Sequence, residues 1–244
     1  MKVIVLAAGY ATRLHPLTLN QPKPLLSVAG RPMLDHVLDA IAPVGGFDRV
    51  YVVTNAKFTP HFQQWAGAHP ARGILSIVND GTTDDTHRLG AIGDLLLVMR
   101  QERLDDDLLV VAGDNLFSKP LTGLCEFCRA QATPVLGVYD VGSLETAKKY
   151  GVVSVEKELL ASFVEKPAQP ASTLAGIALY YYPRQILPLI HQYLAEGNNP
   201  DQPGRLVQWL YPRIPVRVWA VPGLWLDIGS KETLEEAQQI FSAK

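Results

Sequence analysis

Two cysteines, Cys125 and Cys128, are all that 244 residues hold. A chain so poor in cysteine is not a disulfide-stapled scaffold. Their Cys-x-x-Cys spacing fits a redox pair or half of a zinc site, but neither a second pair nor a His-x-x-His partner accompanies it. Residues 121–131, LTGLCEFCRAQ, read instead as a helix with Leu121, Leu124, Cys125 and Cys128 on one face, so both thiols are expected in an ordinary core. An excess of positive charge is also missing. Lys and Arg number 22 against 24 Asp and Glu, a formal charge of −2, which leaves no electrostatic footprint for a nucleic acid. No apolar run approaches the ~20 residues of a membrane span. The first such run is too short for a signal peptide and lacks a cleavage region, which makes the cytoplasm the expected compartment. Internal repeats and low-complexity tracts are lacking too, as are the hexapeptide repeats of a C-terminal β-helix.

What the chain does have is apolar residues, 48% of the total in short runs, as in a soluble globular protein with a sizeable core. Runs at 3–6, 49–54, 74–78 and 108–112 read as strands. Helical patterns alternate with them. One starts at Pro32 with Leu34, Val37, Leu38 and Ile41 as its buried stripe; a second has Thr59 as N-cap and Pro60 at N1; a third covers 89–104. This alternation predicts an α/β fold: a Rossmann-like open sheet, mixed but mostly parallel, flanked by helices. The second half changes character, with strand-like runs at 135–139, 152–155, 159–165, 174–182, 216–221 and 224–227. Shorter helical patterns fall at 144–150, 186–194 and 206–211, and a C-terminal helix starts at Ser230, its cap.

Residues 3–26, VIVLAAGYATRLHPLTLNQPKPLL, carry the densest chemistry. The strand ends abruptly at Ala7, Ala8 and Gly9, small residues that let a ligand approach and leave backbone N–H groups to meet phosphate oxygens. Arg13 and Lys23 add two cations to the same loop, and Pro16, Pro22 and Pro24 stiffen it. The stretch is neither a G-x-G-x-x-G dinucleotide fingerprint nor a P-loop. It has the makings of a polyphosphate cradle. In open α/β sheets, ligands bind beyond the carboxyl ends of the strands. Asp114, in the Gly113-Asp114-Asn115 turn, and Asp227, in LWLDIG, both stand at such ends. Either alone would read as a turn cap. Together two carboxylates can share one hard cation, and Mg²⁺ takes one or two of them plus phosphate oxygens and water. None of the six His residues sits at metal-ligand spacing. Strand alternation sends Tyr181 to the face opposite Tyr180 and Tyr182.

AAGYATRLHPLT followed by PKPLL resembles the opening signature of the sugar-1-phosphate nucleotidyltransferases, the pyrophosphorylase family that includes the glucose-1-phosphate thymidylyltransferases. Ala11 stands where that pattern has its second glycine. VVAGDN and LWLDIGS are similar to the family's two metal-binding Asp motifs, FVEKP to its Glu-Lys motif, KYGVV to its Tyr-Gly-Val motif and LGAIGD to its Leu-Gly-x-x-Gly turn. AGIALYYY departs, with Ala178 where a glycine is usual. The resemblance implies a nucleotidyltransferase, GT-A-like fold in a single domain, 1–244, with a nucleotide-binding half to about residue 133 and an acceptor-binding half beyond it. It also implies roles. Leu6, Ala8, Gly9, Leu89 and Gly90 would bind the nucleotide, with Asn79 where thymidylyltransferase relatives carry a Gln. Gly151 and Glu165 would bind the sugar. Arg13, Lys23, Lys166, Asp114 and Asp227 would be catalytic, the two acids holding Mg²⁺.

The expected activity is Mg²⁺-dependent transfer from an NTP (UTP, dTTP or CTP) to a sugar 1-phosphate, giving a nucleotide-sugar and pyrophosphate. Its partners are those small molecules, with no nucleic acid and no membrane, and a homo-oligomer is compatible with it. Two alternatives stand. A cytidylyltransferase for a phosphocholine-like phosphate or phosphonate would share the loop and both acids, and would need clustered aromatics for a quaternary ammonium. A non-catalytic module that senses nucleotide-sugars would be expected to have lost Lys23, Asp114 or Asp227.

Overall fold

A computed structural model describes residues 1–242, apart from the side chain of Gln131. The chain forms two compact units, each assembled from separated segments. The first takes Lys2–Leu89, Val111–Thr122 and the chain from Pro222 on; the second takes Met1, Gly90–Val110 and Gly123–Val221. A division near residue 133 therefore does not coincide with these units. Gly90–Val110 joins the second, and the segment from Pro222 returns to the first.

Parallel strands form the base of the first unit. Lys2–Leu6, Val50–Thr54 and Leu75–Asn79 pair side by side, with Val3 opposite Val50 and Thr54 opposite Asn79. The middle strand, VYVVT, is buried along its whole length, which is why it reads as a continuous apolar run instead of an alternating one. Because the strands are parallel, Leu6, Thr54 and Asn79 all end at one edge. The end of strand Leu108–Ala112 joins that edge, where the Gly113 N–H donates to the Leu6 carbonyl at 2.9 Å. Helix Met33–Ile41 buries Leu34, Val37, Leu38 and Ile41, the stripe that its spacing predicts. In helix Thr59–Ala68, Thr59 is the first helical residue and not the cap. Its hydroxyl donates to the Asn55 carbonyl at 2.9 Å, while Asn55 Oδ1 accepts the Phe58 N–H at 3.0 Å. The entry turn is thus set by Asn55, which is fully buried.

The returning segment adds the short strand Trp225–Asp227, antiparallel to Asn115–Phe117, with Asp227 opposite Asn115. Helix Lys231–Ser242 follows, and Ser230 Oγ accepts the Thr233 N–H at 3.3 Å as its cap. The Gln238 amide fastens this helix by donating to the Ser27 carbonyl at 2.7 Å and accepting the Ala29 N–H at 2.8 Å.

Antiparallel pairing dominates the second unit. Strand Leu174–Tyr182 pairs with Val135–Asp140 and, at Ala175 and Gly176, with Gly151–Glu156, which itself pairs with Leu159–Glu165. Arg217–Ala220 runs parallel to Val135–Asp140. Helices Ala91–Gln101, Leu124–Gln131, Leu144–Ala147, Leu187–Ala195 and Pro203–Leu210 belong to the same unit. The helix expected from residue 89 starts at Ala91 because Gly90 takes a φ of 78°. Cys125 and Cys128 are buried free thiols, and burial, with Cys125 nearby, pushes Cys128 up to about 12. Such a thiol is inert core. The Tyr180 and Tyr182 rings stack at 5.9 Å, while the Tyr181 hydroxyl donates to Asp107 at 2.7 Å from the other face, as alternation predicts. Among the described residues no helix is long and apolar enough to cross a membrane.

Candidate active site

Four of the residues expected to be catalytic, Arg13, Lys23, Asp114 and Asp227, fall in the first unit. The loop that carries the cations is held at its root. The Ala7 N–H donates to the Val53 carbonyl at 2.9 Å, and the Ala8 carbonyl accepts from Asn55 Nδ2 at 2.9 Å. Gly9 then stands exposed, with nothing within 4 Å of where a Cβ would sit. Tyr10 turns inward, its ring 6.5 Å from Phe58 and its hydroxyl 3.4 Å from Thr82 Oγ1. Ala11 adopts φ 48° and ψ 43°, the left-handed conformation that a second glycine would supply freely. The buried Thr18 pins it by donating to its carbonyl at 2.8 Å. Arg13 follows, exposed, in the turn Thr12–Leu14, and its Nη1 lies 3.9 Å from the Cβ position of Gly229. The guanidinium therefore lies over the turn just beyond Asp227.

Lys23 opens the turn Lys23–Leu25 with proline on either side, and its Nζ meets Asp114 Oδ2 at 2.5 Å. Only 11% of the lysine side chain and 27% of the aspartate side chain are exposed, so this charge-assisted bond is largely shielded from water. Gly113 makes the approach possible: a Cβ there would lie 3.2 Å from Pro24 Cγ and 3.3 Å from Val5 Cγ1. Asp227 stands opposite Asn115, and the Ile228 N–H reaches the Asp114 carbonyl at 3.4 Å. The two acids are thus one residue out of register on adjoining backbones. Among the described residues no group of three or more His, Cys, Asp or Glu could hold a metal. Two hard carboxylates nevertheless suit Mg²⁺, which completes its shell with phosphate oxygens and water instead of an all-protein cage.

Glu165, Lys166 and Gly151 belong to the second unit. Gly151 pairs with Glu165 across the ladder, and a Cβ on Gly151 would fall 2.4 Å from Phe163 Cζ and 3.2 Å from Glu165 Oε2. A glycine that the sequence did not single out, Gly204 in the first turn of Pro203–Leu210, meets the same groups. Its Cβ position is 2.8 Å from Glu165 Oε2 and 2.7 Å from Phe163 Cζ. No local signal marks it, because the helical pattern visible in the sequence starts at residue 206, beyond Gly204. Burial raises the Glu165 carboxyl above its ordinary value, opposed in part by Lys166 and Arg205. Its carboxylate accepts no hydrogen bond among the described residues, which leaves it open to the hydroxyl donors of a ligand. Lys166 sits at φ 45° with its N–H on the Tyr150 carbonyl at 3.1 Å and its side chain exposed.

Of the residues expected to bind the nucleotide, Leu6, Ala8 and Gly9 form the root of the loop, and Asn79 stands exposed at the same strand edge, its Oδ1 accepting the Gly81 N–H at 2.9 Å. Leu89 is half-buried. At Gly90 the missing Cβ has a local reason, because Asp201 Cα lies 2.6 Å and the Pro200 carbonyl 2.7 Å from its position. The Ala91 and Ile92 N–H groups donate to the Asp201 and Pro200 carbonyls at 3.2 and 2.8 Å.

The chain matches the family model described as nucleotidyl transferase over residues 2–244. It is 31% identical over 237 residues to a Sulfolobus acidocaldarius protein provisionally named mannose-1-phosphate guanyltransferase, an alignment that covers 94% of this chain and 60% of that one. The chain thus spans about three fifths of that relative's length. It is 26% identical over 241 residues to UTP--glucose-1-phosphate uridylyltransferase AglF of Haloferax volcanii, covering 98% and 96%. Among solved structures, UDP-glucose pyrophosphorylase complexed with UDP-glucose matches with a TM-score of 0.81 at 21% identity, over 99% of this chain and 98% of that one. The shared fold is the α/β architecture that the sequence predicts.

Proposed function

The chain belongs to the nucleotidyl transferase family, and from that premise we propose that it joins an NTP to a sugar 1-phosphate, giving a nucleotide-sugar and pyrophosphate. The observation that carries this reading is the Lys23–Asp114 contact, with Arg13 beside Gly229 and Asp227 opposite Asn115. Two cations and two acids are gathered in one unit, which is what a reaction between two anions requires. The acceptor's phosphate oxygen is already anionic and needs no general base. It attacks the α-phosphorus; the bond from that phosphorus to its bridging oxygen breaks, and pyrophosphate leaves with the electron pair. Positioning and charge neutralisation then supply the rate.

Arg13 holds the β- and γ-phosphates that become the leaving group. Lys23 neutralises charge near the α-phosphate, Lys166 takes the acceptor phosphate, and Glu165 with Gly151 meets the sugar. Asp114 and Asp227 are the residues that would hold Mg²⁺, which when bound polarises phosphoryl oxygens as a Lewis acid. The names of the two relatives point to guanine and uracil nucleotides, so GTP joins UTP, dTTP and CTP as a candidate donor. The compartment we assign is the cytoplasm.

Pyrophosphate release tests the reading, measured for UTP, dTTP, GTP, CTP and ATP against several sugar 1-phosphates and phosphocholine, with and without Mg²⁺. Release that requires both a sugar 1-phosphate and Mg²⁺ is expected. Release without any acceptor would make the protein a hydrolase, and release with phosphocholine alone would select the non-sugar alternative.

A further inference from the structure

Phe163 and Glu165 lie two residues apart on strand Leu159–Glu165, so their side chains share one face of it. Three glycines of the second unit close on that face. Gly151 opens strand Gly151–Glu156, Gly176 lies in strand Leu174–Tyr182, and Gly204 falls in the first turn of helix Pro203–Leu210. A Cβ on Gly176 would stand 3.0 Å from Phe163 Cε2, while those on Gly151 and Gly204 would stand 2.4 and 2.7 Å from its Cζ. None of the three takes a positive φ, so what each supplies is room and not backbone freedom. The ring they admit is 3% exposed. Two of the same glycines also enclose Glu165 Oε2, which is 3.2 Å from the Cβ position of Gly151 and 2.8 Å from that of Gly204. A glycine inside a helix ordinarily weakens it relative to alanine. At residue 204 the contact with Phe163 and Glu165 gives that weakness a reason.

We infer that Gly204 is a positioning residue for the acceptor: its bare backbone lets the helix close on Glu165 and fixes the direction in which that carboxylate meets a sugar hydroxyl. This rests on the function proposed above, in which Glu165 contacts the sugar. A glutamate side chain is rich in rotamers, and a ligand that must immobilise it binds more weakly than one that finds it already held. Packed with Phe163 against the backbones of Gly151 and Gly204, this carboxylate has little freedom to swing. A methyl group on residue 204 would have to displace one of its two neighbours. The ring is buried among glycines, whereas Oε2 is the end of a flexible chain and yields first.

Gly204→Ala tests this on the full chain, with the NTP and the sugar 1-phosphate that together release the most pyrophosphate. Acceptor KM is expected to rise about tenfold, with kcat and the KM for the NTP unchanged. A change in all three, the mark of a merely loosened fold, overturns the inference. Made in a Glu165→Ala background, the same substitution should alter acceptor KM by less than about twofold, because nothing is left to position. The full rise there as well overturns the inference. Should Gly204→Ala alone fail to fold, it is made in a Phe163→Leu background, where the obstructing ring is gone and the same rise over Phe163→Leu is expected. A readout that needs no turnover is the Glu165 carboxyl, titrated by carbon NMR with labelled glutamate. Burial raises it in the parent, and Gly204→Ala should let it fall toward the ordinary carboxylate value as it swings into water. A titration and an acceptor KM both unmoved by Gly204→Ala would overturn the positioning and leave the proposed reaction standing. A titration that moves, in a protein releasing no pyrophosphate with any sugar 1-phosphate, would sink the reaction and leave Gly204 as what holds Glu165 in place.

Discussion

Ala11 holds a conformation in which its Cβ crowds the following carbonyl, at a cost on the order of 1 kcal/mol. Ala11→Gly is therefore expected to raise stability by up to about 1 kcal/mol, the strain relieved being offset in part by the freer unfolded chain. Urea midpoints at constant m-value would show it. The contact between Lys23 and Asp114 makes a larger prediction. Lys23→Ala and Asp114→Asn should each lower turnover by roughly two orders of magnitude, as for loss of one preorganised electrostatic contact, with circular dichroism unchanged. Near-normal turnover in either variant would remove that residue from the mechanism. These side chains were legible in the sequence because a strand, small residues and flanking prolines announce them locally. Gly204 was not, because the need for it arises only where Phe163 and Glu165 come against its helix.

Between strand and helix, Asn55 does work that the sequence reading gave to Thr59. One buried amide ties the loop after the first strand through Ala8 and the helix entry through Phe58. Asn55→Ala leaves the Ala8 carbonyl unpaired and the Phe58 N–H with only the backbone carbonyl of residue 55, at 3.2 Å, and is expected to cost about 1–3 kcal/mol in denaturant unfolding. The strand Leu159–Glu165 carries a prediction about pH. Burial raises the Glu165 carboxyl, so the fold binds this proton more readily than the unfolded chain does. Its contribution to stability is then greatest below the ordinary carboxylate value and is lost as pH rises through the raised one. Glu165→Gln should melt higher than the parent at pH 7, gain nothing at pH 3, and bind the acceptor more weakly by KM. Elements of the second half were legible as strands from their β-branched and aromatic runs. Their mutual direction was not, since whether neighbours run parallel depends on which distant segments pair.

The two units cut across sequence order, and here a reading along the chain is least informative. Nothing local marks residues 222 onward as belonging with the N-terminal strands. The link is made by Gln238 to Ser27 and Ala29 and by Asp227 opposite Asn115. A fragment of residues 1–133 would lack that segment, and is expected to show no cooperative unfolding transition in a urea titration followed by fluorescence. A sharp transition would mean that the N-terminal portion folds without it.

The pairing of Asp227 with Asn115 also bears on synthesis. A growing polypeptide on the ribosome presents the Arg13–Lys23 loop early and Asp114 midway, yet it has no Asp227 until the chain is nearly finished. On the function proposed above, a nascent chain would carry both cations long before the second acid, so competence would arrive as a single late event and not by degrees.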